Sequence, residues 1–140
     1  MGSNSAMDIS TFQDLLLAAR QQLQPQRLLL VFAGATLPSD ANAEQRARFE
    51  AGESGELAPL MCVDKDPRAV ADFDALVTEA QAMEQPWALV FAAALCGVDG
   101  KAPADAAVSA ALQRMVEAVR VGELANFIPF DREGHTVHLA

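Results

Sequence analysis

Apolar residues recur at helical spacing in some stretches of the chain and in unbroken runs in others. Those two patterns predict helices alternating with strands. Phe12, Leu15, Leu16, Ala19 and Leu23 trace one face of a first helix, and Ser10 with Gln13 has capping-box spacing. Residues 28–33 are continuously apolar, between Pro25 and Gly34. That length and punctuation predict a strand buried on both faces. A weak, polar helix follows over residues 42–51, with Asp40 or Asn42 as its cap, and residues 57–63 read as a second buried strand.

The second half repeats the order. Asp66-Pro67 has the form of an N-cap and first helical residue, and Val70, Phe73, Leu76, Val77 and Ala80 supply an inward stripe. Residues 87–95 read as a third strand. Val108, Ala111, Leu112, Met115, Val116 and Val119 make the clearest helical stripe, with Gln113, Arg114, Glu117 and Arg120 opposite. Residues 127–130 read as a fourth strand, whose Pro129 places it at an edge or a bulge. Asp131 to Gly134 then forms a turn into a short last strand, 135–139.

The two halves share sequence as well as order. Leu30-Val31-Phe32-Ala33-Gly34-Ala35 recurs as Leu89-Val90-Phe91-Ala92-Ala93-Ala94, with five of six residues identical. GELAPLMCVDKD at 55–66 recurs as GELANFIPFDRE at 122–133. Repeats of this kind imply one structural unit used twice. The expectation is a single α/β domain of two duplicated α-β-α-β units, about 10–66 and 71–133, with an extra strand at 135–139. Alternating helices and strands imply one mixed, mostly parallel sheet closed by a C-terminal hairpin strand. Both members of the Phe32/Phe91 pair are expected in the core. Residues 1–6, MGSNSA, read as a cloning remnant ahead of a natural start at Met7.

The formal charge of −9 argues against nucleic acid and anionic membrane surfaces as partners. No apolar run is long enough to span a bilayer. Two cysteines do not make a disulfide framework, so the chain reads as cytoplasmic. Cys62, inside an apolar run, is expected in the core. Cys96 opens a glycine-containing loop and is expected outside it.

The offset between the copies grows from 59 to 67 residues, which places eight extra residues between Ala94 and Leu112. This insertion follows a buried strand and precedes a helix, the usual ligand edge of an open α/β sheet. Cys96, Gly97, Asp99, Gly100 and Lys101 are therefore candidate ligand-binding residues, with Lys101 as the anion contact; the alternative is a plain surface loop. Asp64-Lys65-Asp66 and Asp131-Arg132-Glu133 follow the second strand of each copy and are candidates for a charged binding rim. Their alternative roles are capping and turn formation. No catalytic set, zinc spacing or phosphate cradle emerges, and no cofactor or metal is implied. His135 and His138 would point to opposite sides of a strand.

The phrases Arg48-Phe49-Glu50-Ala51-Gly52-Glu53, Leu60-Met61-Cys62-Val63-Asp64-Lys65 and Gln113-Arg114-Met115-Val116-Glu117-Ala118 resemble a group of small proteobacterial proteins often labelled "ribonucleotide reductase subunit alpha". The resemblance covers nearly the whole chain and implies an accessory factor of nucleotide metabolism. A fainter similarity links residues 57–73 to the serine-sensitivity-enhancing type of protein. From the residues themselves, the favoured expectation is a binding or regulatory module acting through a protein partner or as a homodimer. The rival is a binder of an anionic small molecule, or a minor enzyme, using the loop 96–103.

Overall fold

The computed structural model describes residues 9–36, 42–44, 47, 56–81 and 87–137. Its elements are α1 (Phe12–Arg20), β1 (Gln26–Thr36), β2 (Glu56–Lys65), α2 (Phe73–Ala80), β3 (Leu89–Cys96), α3 (Asp105–Val121) and β4 (Ile128–Phe130). Ala43, Glu44 and Ala47 are helical and Asn42 is not; the remainder of the helix expected over 42–51 lies outside the described residues.

The helix ends obey local chemistry, shifted slightly from expectation. The α1 capping box is built by Thr11 and Asp14 instead of Ser10 and Gln13. Thr11 Oγ1 accepts from the Asp14 amide at 3.2 Å, and the Asp14 carboxylate accepts from the Ser10 and Thr11 amides at 3.0 and 3.1 Å. Those backbone bonds, Ser10 first, hold the Asp14 carboxyl below its ordinary value. A depressed carboxyl stabilises the fold above the unfolded-state value and loses that contribution as pH falls through the folded one. The melting temperature should therefore drop on acidification below about pH 4. Asp14→Asn should make that acid limb shallower; an unchanged limb would show that the box is energetically silent.

Asp66-Pro67 does not start α2. The Asp66 side chain accepts from the Arg68 amide at 2.9 Å, closing a turn, and Asp72 caps the helix through the Ala75 amide. At the other end of the chain, α3 carries its apolar stripe as expected and stops at Gly122, which adopts φ +82° as a left-handed C-cap.

The four strands form one antiparallel sheet in the order β2-β1-β3-β4. This corrects the expectation of a mixed, mostly parallel sheet. That expectation treated each helix as a crossover returning the chain to the end where it began. Instead α1 and α2 lie together on one face, and α3 lies on the other, chiefly against β1 and β2. An unbroken apolar run reports burial on two faces; it does not report strand direction. The layers are thus two helices, a sheet and one helix.

The duplicated hexapeptide is strand in both copies, and the copies lie side by side in β1 and β3. Val31 opposes Phe91, and Phe32 opposes Val90. Directly opposed residues share a sheet face, so matching residues of the two copies face opposite ways. Phe32 joins the α1/α2 core, 5.1 Å from the Trp87 ring centroid, whereas Phe91 joins the α3 core with Met115 and Val119. The β1–β3 register itself dictates this, and the second strands of the copies are separately out of step by one residue. Val63 opposes Leu30, but its counterpart Phe130 opposes Val90, the counterpart of Val31. A one-residue slip turns a strand's side chains to the other face. The second copies diverge further: Glu56 to Leu60 are strand in β2, while their counterparts 123–127 are turn and coil.

The core on the two-helix face is aromatic. Phe12 packs against Phe73 and Phe130 at 5.2 and 5.4 Å between centroids, the latter edge to face. β2 is an edge strand with a bulge between Met61 and Pro59, where proline is tolerated.

Candidate functional site

The antiparallel topology separates the two charged triplets. β2 and β4 run in opposite directions, so Asp64-Lys65-Asp66 and Asp131-Arg132-Glu133 leave the sheet at opposite ends. One rim made from both is not assembled.

The first end gathers the triplet of β2 and the inserted loop. Three structural partners occupy the triplet: Asp64 bonds Arg27 at 2.6 Å, Lys65 bonds Glu79 at 2.7 Å, and Asp66 closes its turn. The insertion is a tight hairpin. Val98 and Lys101 exchange both backbone bonds at 3.0 Å around Asp99-Gly100, whose φ values are +56° and +75°. Positive φ at both central residues is the primed turn that Asp-Gly favours. The pair was visible in the sequence, where it reads as a turn signal more strongly than as a ligand signal.

This loop leaves few backbone donors for an anion. The Gly97 amide donates to Pro25 O at 2.7 Å, the Gly100 amide to Gln24 Oε1 at 2.6 Å, and the Val98 and Lys101 amides bond each other's carbonyls. The Lys101 side chain is exposed, as are Cys96 and Asp99, while Gly97 is buried. The cavity at this end is about 60 Å³, lined by Arg20, Arg27, Asp66, Arg68 and Ala102 among others; Cys96 and Lys101 do not line it. Arg20 spends its guanidinium on the Pro67 and Val70 carbonyls.

The α1–β1 turn and the 98–101 hairpin are tied through Gln24 and Pro25. Each presents a large exposed side chain, Leu23 at 99% and Val98 at 69%.

Cys62 is exposed, correcting its expected place in the core. Cys62 opposes Val31 and so points to the α3 face, but on the border strand it lies outside the core that buries Val31 there. Cys62 opposes Val31 and Cys96 opposes Gln26, on the two sides of β1 and five residues apart along it. That is about 16 Å along the strand alone, far beyond disulfide reach. Both thiols should label at similar rates in the native protein, which a maleimide time course reads directly. Slow labelling of Cys62 would contradict its edge position.

The second end holds the 131–135 turn. Asp131 Oδ1 accepts from the Glu133 and His135 amides at 2.8 and 3.0 Å. Burial pushes the Asp131 carboxyl up, but the His135 and Glu133 amides, the nearby His135 ring and the Gly134 amide together hold it below its ordinary value. Arg132 lays its guanidinium 5.4 Å from the Trp87 ring centroid. Glu133 and His135 are exposed. The turn brings carboxylate and imidazole atoms of Asp131, Glu133 and His135 within 4.8 Å of one another. Sequence reasoning missed this meeting, because positions i, i+2 and i+4 converge only when the chain reverses between them. Thr136 bridges Phe130 and His135 bridges Thr11, while His138 lies outside the described residues.

An open groove of about 700 Å³ lies near the C-terminal end of α3. Ala118, Leu124, Phe127, Pro129 and Val137 line it, and Glu123 is its only ionisable side chain.

These features define a small α/β domain with an antiparallel sheet between unequal helical layers. No family model, no curated protein and no solved structure matches the chain. No helix among the described residues is long and apolar enough to cross a membrane.

Proposed function

We propose that this protein is a non-catalytic binding module that engages a protein partner through the sheet end carrying Leu23 and Val98. The observation that carries the reading is that pair of exposed apolar side chains on two turns tied to each other. Large apolar groups exposed to water are the usual raw material of an interface core. The polar surround of Gln24, Asp99 and Lys101 supplies a rim, and the net charge of −9 favours a partner with basic character.

The rival reading, an anionic ligand beside Cys96 and Lys101, has less support. Metabolite sites occupy roughly 300–1,000 Å³, against about 60 Å³ at this end. Resemblance to the proteins labelled as reductase alpha subunits points the same module toward nucleotide metabolism, as an accessory factor. Two separated thiols offer it no redox pair.

Interface mutagenesis tests the proposal. Leu23→Asp with Val98→Asp should leave the melting temperature within a few degrees, since exposed changes cost about 0.5 kcal/mol or less. It should lose a partner retained by wild type. Val121→Asp, on the exposed side of α3, is the control. Loss of the partner from the control, with retention by the double variant, would move the interface to α3 and sink the proposal.

A further inference from the structure

We propose that the turn after β4 binds a borderline transition-metal ion such as Zn²⁺, Co²⁺ or Ni²⁺, with Asp131, Glu133 and His135 as its three protein ligands. Their ligand atoms already lie within 4.8 Å of one another. Metal–ligand bonds near 2.0–2.2 Å require those atoms to stand roughly 3.3 Å apart, so closure needs only small rotations of exposed side chains. An imidazole nitrogen beside two carboxylates is the decisive chemistry. Calcium and magnesium prefer all-oxygen shells, whereas a mixed nitrogen and oxygen set suits zinc and its neighbours.

Contacts outside the cluster hold the turn in place. The Phe12 amide donates to Gly134 O at 2.7 Å, and the Thr136 amide donates to Ser10 O at 2.9 Å. Gly134, at φ +85°, sits so close to Phe73 that a Cβ would lie 3.0 Å from the ring. Arg132, the one cation of the turn, is stacked on Trp87. The Glu133 and His135 amides on Asp131 Oδ1 orient that carboxylate from behind, as contacts to a ligating group usually do. Three protein ligands leave at least one coordination position for water or for a ligand from another molecule. This site lies at the opposite sheet end from Leu23 and Val98, and the proposal is independent of that interface.

The experiment is calorimetric titration with Zn²⁺ and optical titration with Co²⁺, in a Cys62→Ser, Cys96→Ser, His138→Asn background that removes competing ligands. One equivalent should bind with micromolar affinity, and tenfold excess Ca²⁺ should not displace it. His135→Ala and Asp131→Asn should each weaken binding at least about tenfold. Asn keeps the oxygen that accepts the turn amides, so Asp131→Asn preserves the turn, which circular dichroism and thermal melting verify. Equal binding by the Asp131→Asn, Glu133→Gln, His135→Ala variant, displacement by Ca²⁺, or no stoichiometric binding below millimolar metal would each overturn the proposal.

Discussion

Phe91→Ala should destabilise the protein by about 3–5 kcal/mol, and Phe32→Ala should do the same. Both rings are fully buried in neighbouring strands at the centre of the sheet. Total stability for a domain of this size is about 5–15 kcal/mol, so either variant gives up a large share of it. The structure adds something the repeat does not imply. Phe32 packs with Trp87 under α1 and α2, and Phe91 packs with Met115 and Val119 under α3. Side chains without shared partners give additive effects. Milder Phe→Leu changes at both sites should therefore sum within about 0.5 kcal/mol in a denaturant double-mutant cycle. A coupling of 1 kcal/mol or more would place the rings on one face and contradict the register. Either alanine variant melting like the parent would contradict the core itself.

Gly97→Ala should be nearly as damaging, on the order of 3 kcal/mol or more, although it adds one methyl group. The new Cβ would lie 1.9 Å from the Lys101 carbonyl oxygen and 2.9 Å from that of Pro25. Both are backbone atoms held by the hairpin and by the Gly97–Pro25 bond, so neither can swing aside as a side chain would. Gly100→Ala, three residues on, meets nothing within 4 Å but must adopt φ +75°. It should cost only about 1–2 kcal/mol, the penalty of a left-handed residue. Urea melts of the two variants should therefore rank Gly97→Ala clearly below Gly100→Ala. The reverse order would mean that the loop relaxes around the added methyl.

Much of the local structure was legible. The stripe Val108, Ala111, Met115 and Val119 is the buried side of α3, and residues 28–33 are buried on both faces as their unbroken apolarity requires. Cap positions slipped by one residue at α1 and by six at α2, because Thr11 and Asp72 compete with Ser10 and Asp66 using the same side-chain chemistry. The candidate site was less legible. Lys101 and Asp99 stand out in the sequence by their place in the insertion, and the structure puts the insertion at a surface end. The turn tied to it, which carries Leu23, lies some 75 residues away in sequence, which no local pattern records.

The sequence by itself determined the buried runs of β1 and α3, the Asp-Gly turn, and that one strand motif is used twice. Those follow from side-chain polarity, from Gly and Asp backbone preferences, and from identity between two stretches. Tertiary structure alone decided strand direction, the exposure of Cys62, the opposite facing of Phe32 and Phe91, and the meeting of Asp131, Glu133 and His135. Each of these depends on which strand lies beside which, and in what register. Apolar runs are equally satisfied by a parallel or an antiparallel neighbour, so that choice is settled only when the helices and strands pack together.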